Sequence, residues 1–161
     1  MALALEPALI IADEPTSALD VTMQAEIISL LTHLCHSDGV ALLLISHDLS
    51  LVAHATDRCL IMYAGQIVEQ GATKNLINDA QHPYTQGLIR ALPQMSSPGQ
   101  LLYQIPGQMP LAQELGHQCA FANRCEHAFK ACWQQQPSMP INQDHSARCH
   151  LVNDARPEEA S

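Results

Sequence analysis

The sequence has few basic side chains and no long apolar run. Of its 161 residues 7 are Lys or Arg and 16 are Asp or Glu, which gives a formal net charge of −9. A nucleic-acid-binding protein needs basic side chains that contact phosphates, so this balance argues against that class. A membrane-spanning helix needs about 18 or more consecutive apolar residues, and no such run occurs. We therefore expect neither a nucleic-acid partner nor a membrane span.

A signal peptide is also missing, because the first residues lack a basic segment and Glu6 and Pro7 interrupt their apolar stretch. We therefore expect a reducing compartment, where cysteines are more often thiols or metal ligands than disulfides. Cys35 and Cys59 lie alone in apolar surroundings, which predicts core positions. The other four of the six cysteines lie in the last third of the chain: Cys119, Cys125, Cys132 and Cys149.

Two short apolar runs, residues 8–12 and 40–46, flank a segment with helical periodicity. Continuous runs of this length are typical of strands buried on both faces. Asp20 or Thr22 can cap the helix between them, and Gly39 suits the position just after its end. A strand, a helix and a second buried strand predict a parallel sheet.

Shorter elements are predicted after this unit. The pattern indicates a helix over 49–55 and a β-hairpin that turns at Ala64 and Gly65. Two further helices are predicted over 73–79 and 84–92, after which Pro and Gly interrupt the periodicity.

Acidic and imidazole side chains follow both predicted strands. Asp13 and Glu14 end the first strand, and Ser46, His47 and Asp48 end the second. Parallel sheets carry functional groups at the carboxyl ends of their strands, so these side chains should meet at one edge. The carboxylates could instead only cap the following helix, but the combination of two acids and a histidine favours a functional site.

Three segments resemble parts of the ATPases of ABC transporters. The segment "LIIADEPTSALD" resembles their Walker B segment and D-loop, and "LLLISHDL" resembles their switch-histidine segment. The segment "MYAGQIVEQG" resembles the hairpin that follows. The resemblance implies that Asp13 holds Mg²⁺, through water. It implies that Glu14 orients or deprotonates the water that attacks the γ-phosphate of ATP, and that His47 contacts this phosphate. Asp20 would belong to the D-loop, which meets a second nucleotide domain. Phosphoryl transfer needs charge neutralisation and an aligned nucleophile, which these side chains can supply.

The rest of the chain resembles the C-terminal part of the ATPases of dipeptide and oligopeptide importers. The resemblance rests on "HPYTQGLIRALP", "IPGQMP" and the cysteine-rich end. It implies an α/β fold: the C-terminal part of an ABC-type P-loop ATPase domain, with a parallel sheet and flanking helices, followed by a small Cys-rich metal-binding domain. The predicted boundaries are 1–72 for the nucleotide-binding part, 73–115 for a helical and Pro/Gly-rich connector, 116–151 for the Cys-rich region and 152–161 for a disordered tail.

The four clustered cysteines have the spacing C-x5-C-x6-C-x16-C. Four thiolates can bind a [4Fe–4S] cluster or a tetrahedral Zn²⁺. The resemblance favours the cluster, with zinc as the alternative, and a region so poor in apolar residues needs a cross-link to fold. Free thiols remain the simplest alternative. Four nearby histidines could replace one ligand: His117, His127, His145 and His150.

Two motifs of these ATPases do not occur in the sequence. It contains no G-x-x-x-x-G-K-[ST], no Gly-Lys pair and no Gly-Gly pair, so the phosphate loop and the signature motif are both missing. We predict the ATP-hydrolysing subunit of an ABC importer for di- or oligopeptides, present as a fragment that is inactive alone, because the phosphate loop holds the triphosphate. The alternative is a non-catalytic, metal-bound regulatory or docking module.

The resemblance also implies the partners and the location. The partners would be a second, related ABC ATPase subunit, the permease subunits in the membrane and, indirectly, a peptide-binding protein. The location would be the cytoplasmic face of the bacterial inner membrane, where the subunit is peripheral.

Overall fold

A computed structural model describes residues 7–17, 19–93, 101–140 and 144–153. The chain divides into two compact units, residues 1–56 and 57–161. Residues 1–6 and most of the tail predicted at 152–161 lie outside the described residues. No helix within the described ranges is long and apolar enough to cross a bilayer.

The first unit is a strand–helix–strand motif followed by a short helix. Strands β1 and β2 pair in parallel, in a register that runs from Leu9 opposite Ala41 to Asp13 opposite Ile45. The predicted parallel pairing is therefore confirmed. The elements are β1 (Leu9–Asp13), α1 (Val21–Asp38), β2 (Ala41–Ile45) and α2 (Leu49–Ala55).

Both ends of α1 form as their residue types predict. The Asp20 carboxylate accepts a hydrogen bond of 2.9 Å from the backbone N–H of Met23, which satisfies one of the free donors of the first turn. Gly39 ends the helix with φ 67°, in the left-handed region that glycine adopts without strain. Asp20, and not Thr22, is therefore the capping residue.

The prediction that both strands are buried on two faces was wrong. Ile10 is 8% exposed, but Ile11 is 62% exposed, and Leu9, Leu43 and Ile45 lie beside it on the same open face. Residues alternate in burial along both strands, so only one face of this two-stranded sheet is covered by the described residues. A continuous apolar run does not reveal whether a second covering layer is present.

The second unit begins with the predicted hairpin. Strands β3 and β4 pair antiparallel, and Ala64 and Gly65 turn the chain with φ of 48° and 76°. Two consecutive positive φ values are typical of the tight turns that join twisted strands. The helices that follow begin and end near their predicted limits. The elements are β3 (Arg58–Tyr63), β4 (Gln66–Ala72), α3 (Thr73–Asn78), α4 (Pro83–Arg90), α5 (Lys130–Gln134), β5 (Ser146–Ala147) and α6 (His150–Asn153).

Strand β5 adds the cysteine-rich segment to the hairpin. It pairs antiparallel with β4, with Ala147 opposite Glu69 and Ser146 opposite Gln70. The backbone N–H of Arg148 donates to the Val68 carbonyl at 2.8 Å, which extends the contact. This strand is not predictable from the sequence, because two residues carry no detectable periodicity.

An aromatic cluster forms a core in this unit. The rings of Tyr63 and Tyr84 lie 4.7 Å apart, and the ring of Phe121 lies 5.2 Å from that of Tyr63. The ring of His82 is 5.7 Å from Phe121. These contacts join the hairpin, helix α4 and the cysteine-rich region, so this region packs on the hairpin and does not form a separate core.

Candidate functional site

Glu14 and His47 meet at the carboxyl edge of the parallel sheet. The Nδ1 atom of His47 lies 2.9 Å from each carboxylate oxygen of Glu14. The backbone N–H of His47 also donates to the same carboxylate, at 3.0 Å. The two residues are 33 positions apart in the chain, and the parallel pairing of β1 and β2 brings them together.

The backbone of Glu14 has an unusual conformation. Its φ is 45°, a left-handed value that costs a non-glycine residue on the order of 1–3 kcal/mol. A hydrogen bond of 2.9 Å from its N–H to the Ile45 carbonyl holds this turn against β2. Strained residues of this kind are concentrated at functional sites, so the conformation marks Glu14 as a candidate.

The carboxylate changes the protonation of the histidine. The hydrogen bond and the negative charge of Glu14 raise the pKa of His47 above its ordinary value, with a smaller contribution from Asp48. The imidazole is largely exposed, so this interaction adds little to stability. Any contribution is present at low pH and is lost as pH rises through the elevated pKa of His47.

We predict that Glu14→Gln will lower the pKa of His47 towards the ordinary value of about 6.5, because the neutral amide no longer favours the imidazolium. The measurement is an NMR titration of the His47 ring in both proteins. Glu26→Gln, a change of the same kind on the exposed surface of α1, serves as the control and should leave the titration unchanged. An unchanged midpoint in Glu14→Gln would contradict the geometry of the pair.

The other two predicted residues of this site are nearby in sequence but have different surroundings. Asp13 is exposed and ends β1 opposite Ile45. Asp20 has the structural role of capping α1. The role of Asp13 with Mg²⁺ and that of Asp20 in a D-loop contact remain predictions. Ser46 supports the segment, because its hydroxyl accepts from the backbone N–H of Asp48 at 3.1 Å.

The four clustered cysteines line a single cavity in the second unit. Cys119 precedes the turn that contains Phe121, Cys132 lies on α5 and Cys149 follows β5. The backbone N–H of Cys119 donates to the Cys132 carbonyl at 2.8 Å, which holds two of these segments together. Side chains from four separate positions therefore surround one space, as a shared four-cysteine site would need. Cys35 and Cys59 are buried elsewhere, and their predicted core positions are confirmed.

The surroundings of these thiols are apolar. Burial raises the pKa of the Cys119 and Cys125 thiols and raises that of Cys149 to about 11. Within the described ranges no three His, Cys, Asp or Glu side chains form a group that could hold a metal ion.

The four candidate histidines differ in position. His127 and His150 line the cysteine cavity, together with His82, which was not among the predicted candidates. His145 instead contacts Glu69, with its Nε2 atom 2.7 Å from the carboxylate. His117 is exposed.

His82 begins the segment "HPYT" and is almost fully buried. Its Nδ1 atom accepts a hydrogen bond of 3.1 Å from the backbone N–H of Tyr84, which caps α4. Burial lowers the pKa of His82 to about 4, so the imidazole is neutral at neutral pH. The His–Pro pair thus has a local structural explanation: an N-terminal cap followed by a proline in the first helical turn.

The chain is similar to known transport proteins. Residues 68–132 match the family described as "Oligopeptide/dipeptide transporter, C-terminal region". The chain is 43% identical over 155 residues to the dipeptide transport ATP-binding protein DppD of Escherichia coli, covering 96% of this chain and 47% of DppD. It is 40% identical over 161 residues to the oligopeptide transport ATP-binding protein AppD of Bacillus subtilis, covering 99% of this chain and 49% of AppD.

The class that these matches indicate is that of transport ATP-binding proteins. More narrowly, residues 68–132 match the C-terminal region of oligopeptide/dipeptide transporters, and most of the chain is similar to dipeptide and oligopeptide transport ATP-binding proteins. It spans about half the length of the curated relatives that it matches. The family resemblance predicted from the sequence is confirmed.

Proposed function

We propose that the chain contributes the C-terminal part of the ATP-hydrolysing subunit of an ABC importer for di- or oligopeptides. The Glu14–His47 pair is the main observation in support, because it joins a potential proton acceptor to an imidazole at a sheet edge. The names of the relatives, which refer to dipeptide and oligopeptide transport, support the substrate class.

In this proposal the two residues act on the same phosphate. Glu14 accepts a proton from the water that attacks the γ-phosphate, or aligns that water, and His47 contacts the γ-phosphate. The backbone N–H and Nδ1 of His47 also hold the Glu14 carboxylate in place. Asp13 would hold Mg²⁺ through water, and its exposed carboxylate is a suitable oxygen donor. When bound, Mg²⁺ neutralises charge on the phosphate oxygens. Asp20 would contact a second nucleotide domain.

The four cavity cysteines would hold a structural metal centre. Four thiols around one apolar cavity match the donor set of both a [4Fe–4S] cluster and tetrahedral zinc. The family resemblance favours the cluster, and zinc is the alternative. The ligands would be Cys119, Cys125, Cys132 and Cys149.

The partners in this proposal are those of an importer. A second, related ATPase subunit would complete the nucleotide site, permease subunits would bind from the membrane, and a peptide-binding protein would deliver the substrate. The subunit would be peripheral, at the cytoplasmic face of the inner membrane.

A second candidate is a non-catalytic module that docks through its metal-bound part. The observation in its favour is that all residues lining the cysteine cavity lie within residues 57–161. The Glu14–His47 pair belongs to the other unit, residues 1–56. This candidate predicts no ATP hydrolysis in any context.

The test is a hybrid in which this chain replaces the matching C-terminal part of E. coli DppD, whose remaining part would contribute the phosphate loop. We expect the hybrid to hydrolyse ATP and the 161-residue chain alone not to do so, because this sequence has no G-x-x-x-x-G-K-[ST]. A well-folded hybrid without hydrolysis would favour the docking module.

A further inference from the structure

Glu69, on strand β4, is a fully buried carboxylate with an exposed fraction of 0%. Its Oε1 atom accepts hydrogen bonds from the backbone N–H of Gln81 and from Nε2 of His145, both at 2.7 Å. Its Oε2 atom accepts from the backbone N–H of His82 at 3.0 Å. Each of these three partners can donate, which suits a carboxylate because it only accepts.

The two segments that Glu69 joins both line the cysteine cavity. One begins with His82 and Pro83, and the other contains Cys149 and His150. The contact with the second segment is distant in the chain, since Glu69 and His145 are 76 positions apart. One carboxylate thus connects the turn before α4 to the segment that contains the last cysteine.

The pairing of β4 with β5 supports the same contact. Glu69 lies opposite Ala147 in this pairing, and Ala147 precedes Cys149 by two residues. A Cβ atom at Gly71 would come within 3.2 Å of the His145 ring and 3.3 Å of its Cα. The glycine therefore allows His145 to lie close to the strand, where its Nε2 atom reaches Glu69.

We propose that Glu69 is a positioning residue for the four-cysteine site: through His145 and the turn at residues 81–82 it holds Cys149 at the cavity. The part of this proposal that concerns metal affinity rests on the proposed metal centre. The part that concerns the position of Cys149 does not. Glu69 does not itself contact the thiols. It acts in the way that outer hydrogen-bond partners orient the ligands of metal sites.

The decisive variant is Glu69→Gln. Its amide group presents an N–H₂ where the carboxylate accepted hydrogen bonds, so at least one of the three donors loses its acceptor in a buried position. We expect Cys149 to be alkylated by iodoacetamide at least about 10-fold faster in the metal-free protein under non-denaturing conditions, as measured by peptide mass spectrometry. Structural metal sites lose about 10–100-fold in affinity when an outer partner is removed, so Co²⁺ affinity should fall by that factor and its thiolate absorption bands should change.

Three controls define the result. Glu114→Gln makes the same chemical change at an exposed position and should behave as the wild type. Cys35, which is buried on α1 in the other unit, should keep its slow alkylation in Glu69→Gln. His145→Gln keeps a donor near the position of Nε2 and should preserve the site, whereas His145→Leu should expose Cys149 as Glu69→Gln does.

The outcomes separate the two proposals. If Cys149 in Glu69→Gln is alkylated at the wild-type rate and Co²⁺ binds with wild-type affinity, the positioning role is wrong. It is also wrong if Cys35 becomes reactive in step with Cys149. If Cys149 alone becomes reactive but the wild type binds no Co²⁺, the positioning role stands and the metal centre fails. If Glu69→Gln does not fold, the pair of His145 variants gives the same test.

Discussion

In the DppD hybrid, Glu14→Gln should reduce ATP hydrolysis by about 10²–10⁴-fold, the usual contribution of a general base. The amide has nearly the size of the carboxylate and keeps an oxygen that can accept from the His47 backbone. It cannot accept a proton from water. ATP affinity should therefore change little, since the phosphate loop and not Glu14 holds the triphosphate.

The measurement is steady-state phosphate release together with equilibrium binding of ATP by the same proteins. Glu26→Gln on the exposed surface of α1 is the matched control, and it should hydrolyse ATP as the hybrid does. If the Glu14→Gln hybrid hydrolyses ATP at a rate within a few-fold of the unsubstituted hybrid, Glu14 has no role in the chemical step. Loss of binding and hydrolysis together would indicate a structural role for the carboxylate.

The Glu14–His47 pair could be predicted from the sequence because it depends on a simple rule. Two strands joined by a helix pair in parallel, and parallel strands end at the same edge. The cap at Asp20 and the turn at Ala64 and Gly65 were predictable for a similar reason, since each depends on a few neighbouring residues.

Contacts between distant segments could not be predicted in this way. Glu69 follows an ordinary strand pattern, and nothing nearby indicates that His145 contacts it 76 positions later. The open face around Ile11 was missed because periodicity describes a strand and not the layer that covers it. The convergence of the cysteines was inferred only from their number and their family resemblance.

Cys149→Ser should have the largest effect on stability if the cavity holds a metal. Structural zinc contributes on the order of 10 kcal/mol to the folding of small zinc-binding peptides at neutral pH. The variant should thus lose its metal and several kcal/mol of unfolding free energy relative to the loaded protein. Cys149 is the informative choice because it lies beyond residue 132, where the family match ends, yet it lines the same cavity as the other three cysteines.

The experiment is anaerobic purification followed by analysis of iron, sulfide and zinc, with chemical denaturation of the same samples. About four iron and about four sulfide per chain would identify a [4Fe–4S] cluster, and about one zinc per chain would identify the alternative. Cys59→Ser is the control, because Cys59 is 7% exposed and Cys149 is 8% exposed, but only Cys149 lines the cavity. It should keep the metal of the wild type. A wild-type protein without metal would refute a four-cysteine centre. A Cys149→Ser protein that holds as much metal as the wild type would also refute it.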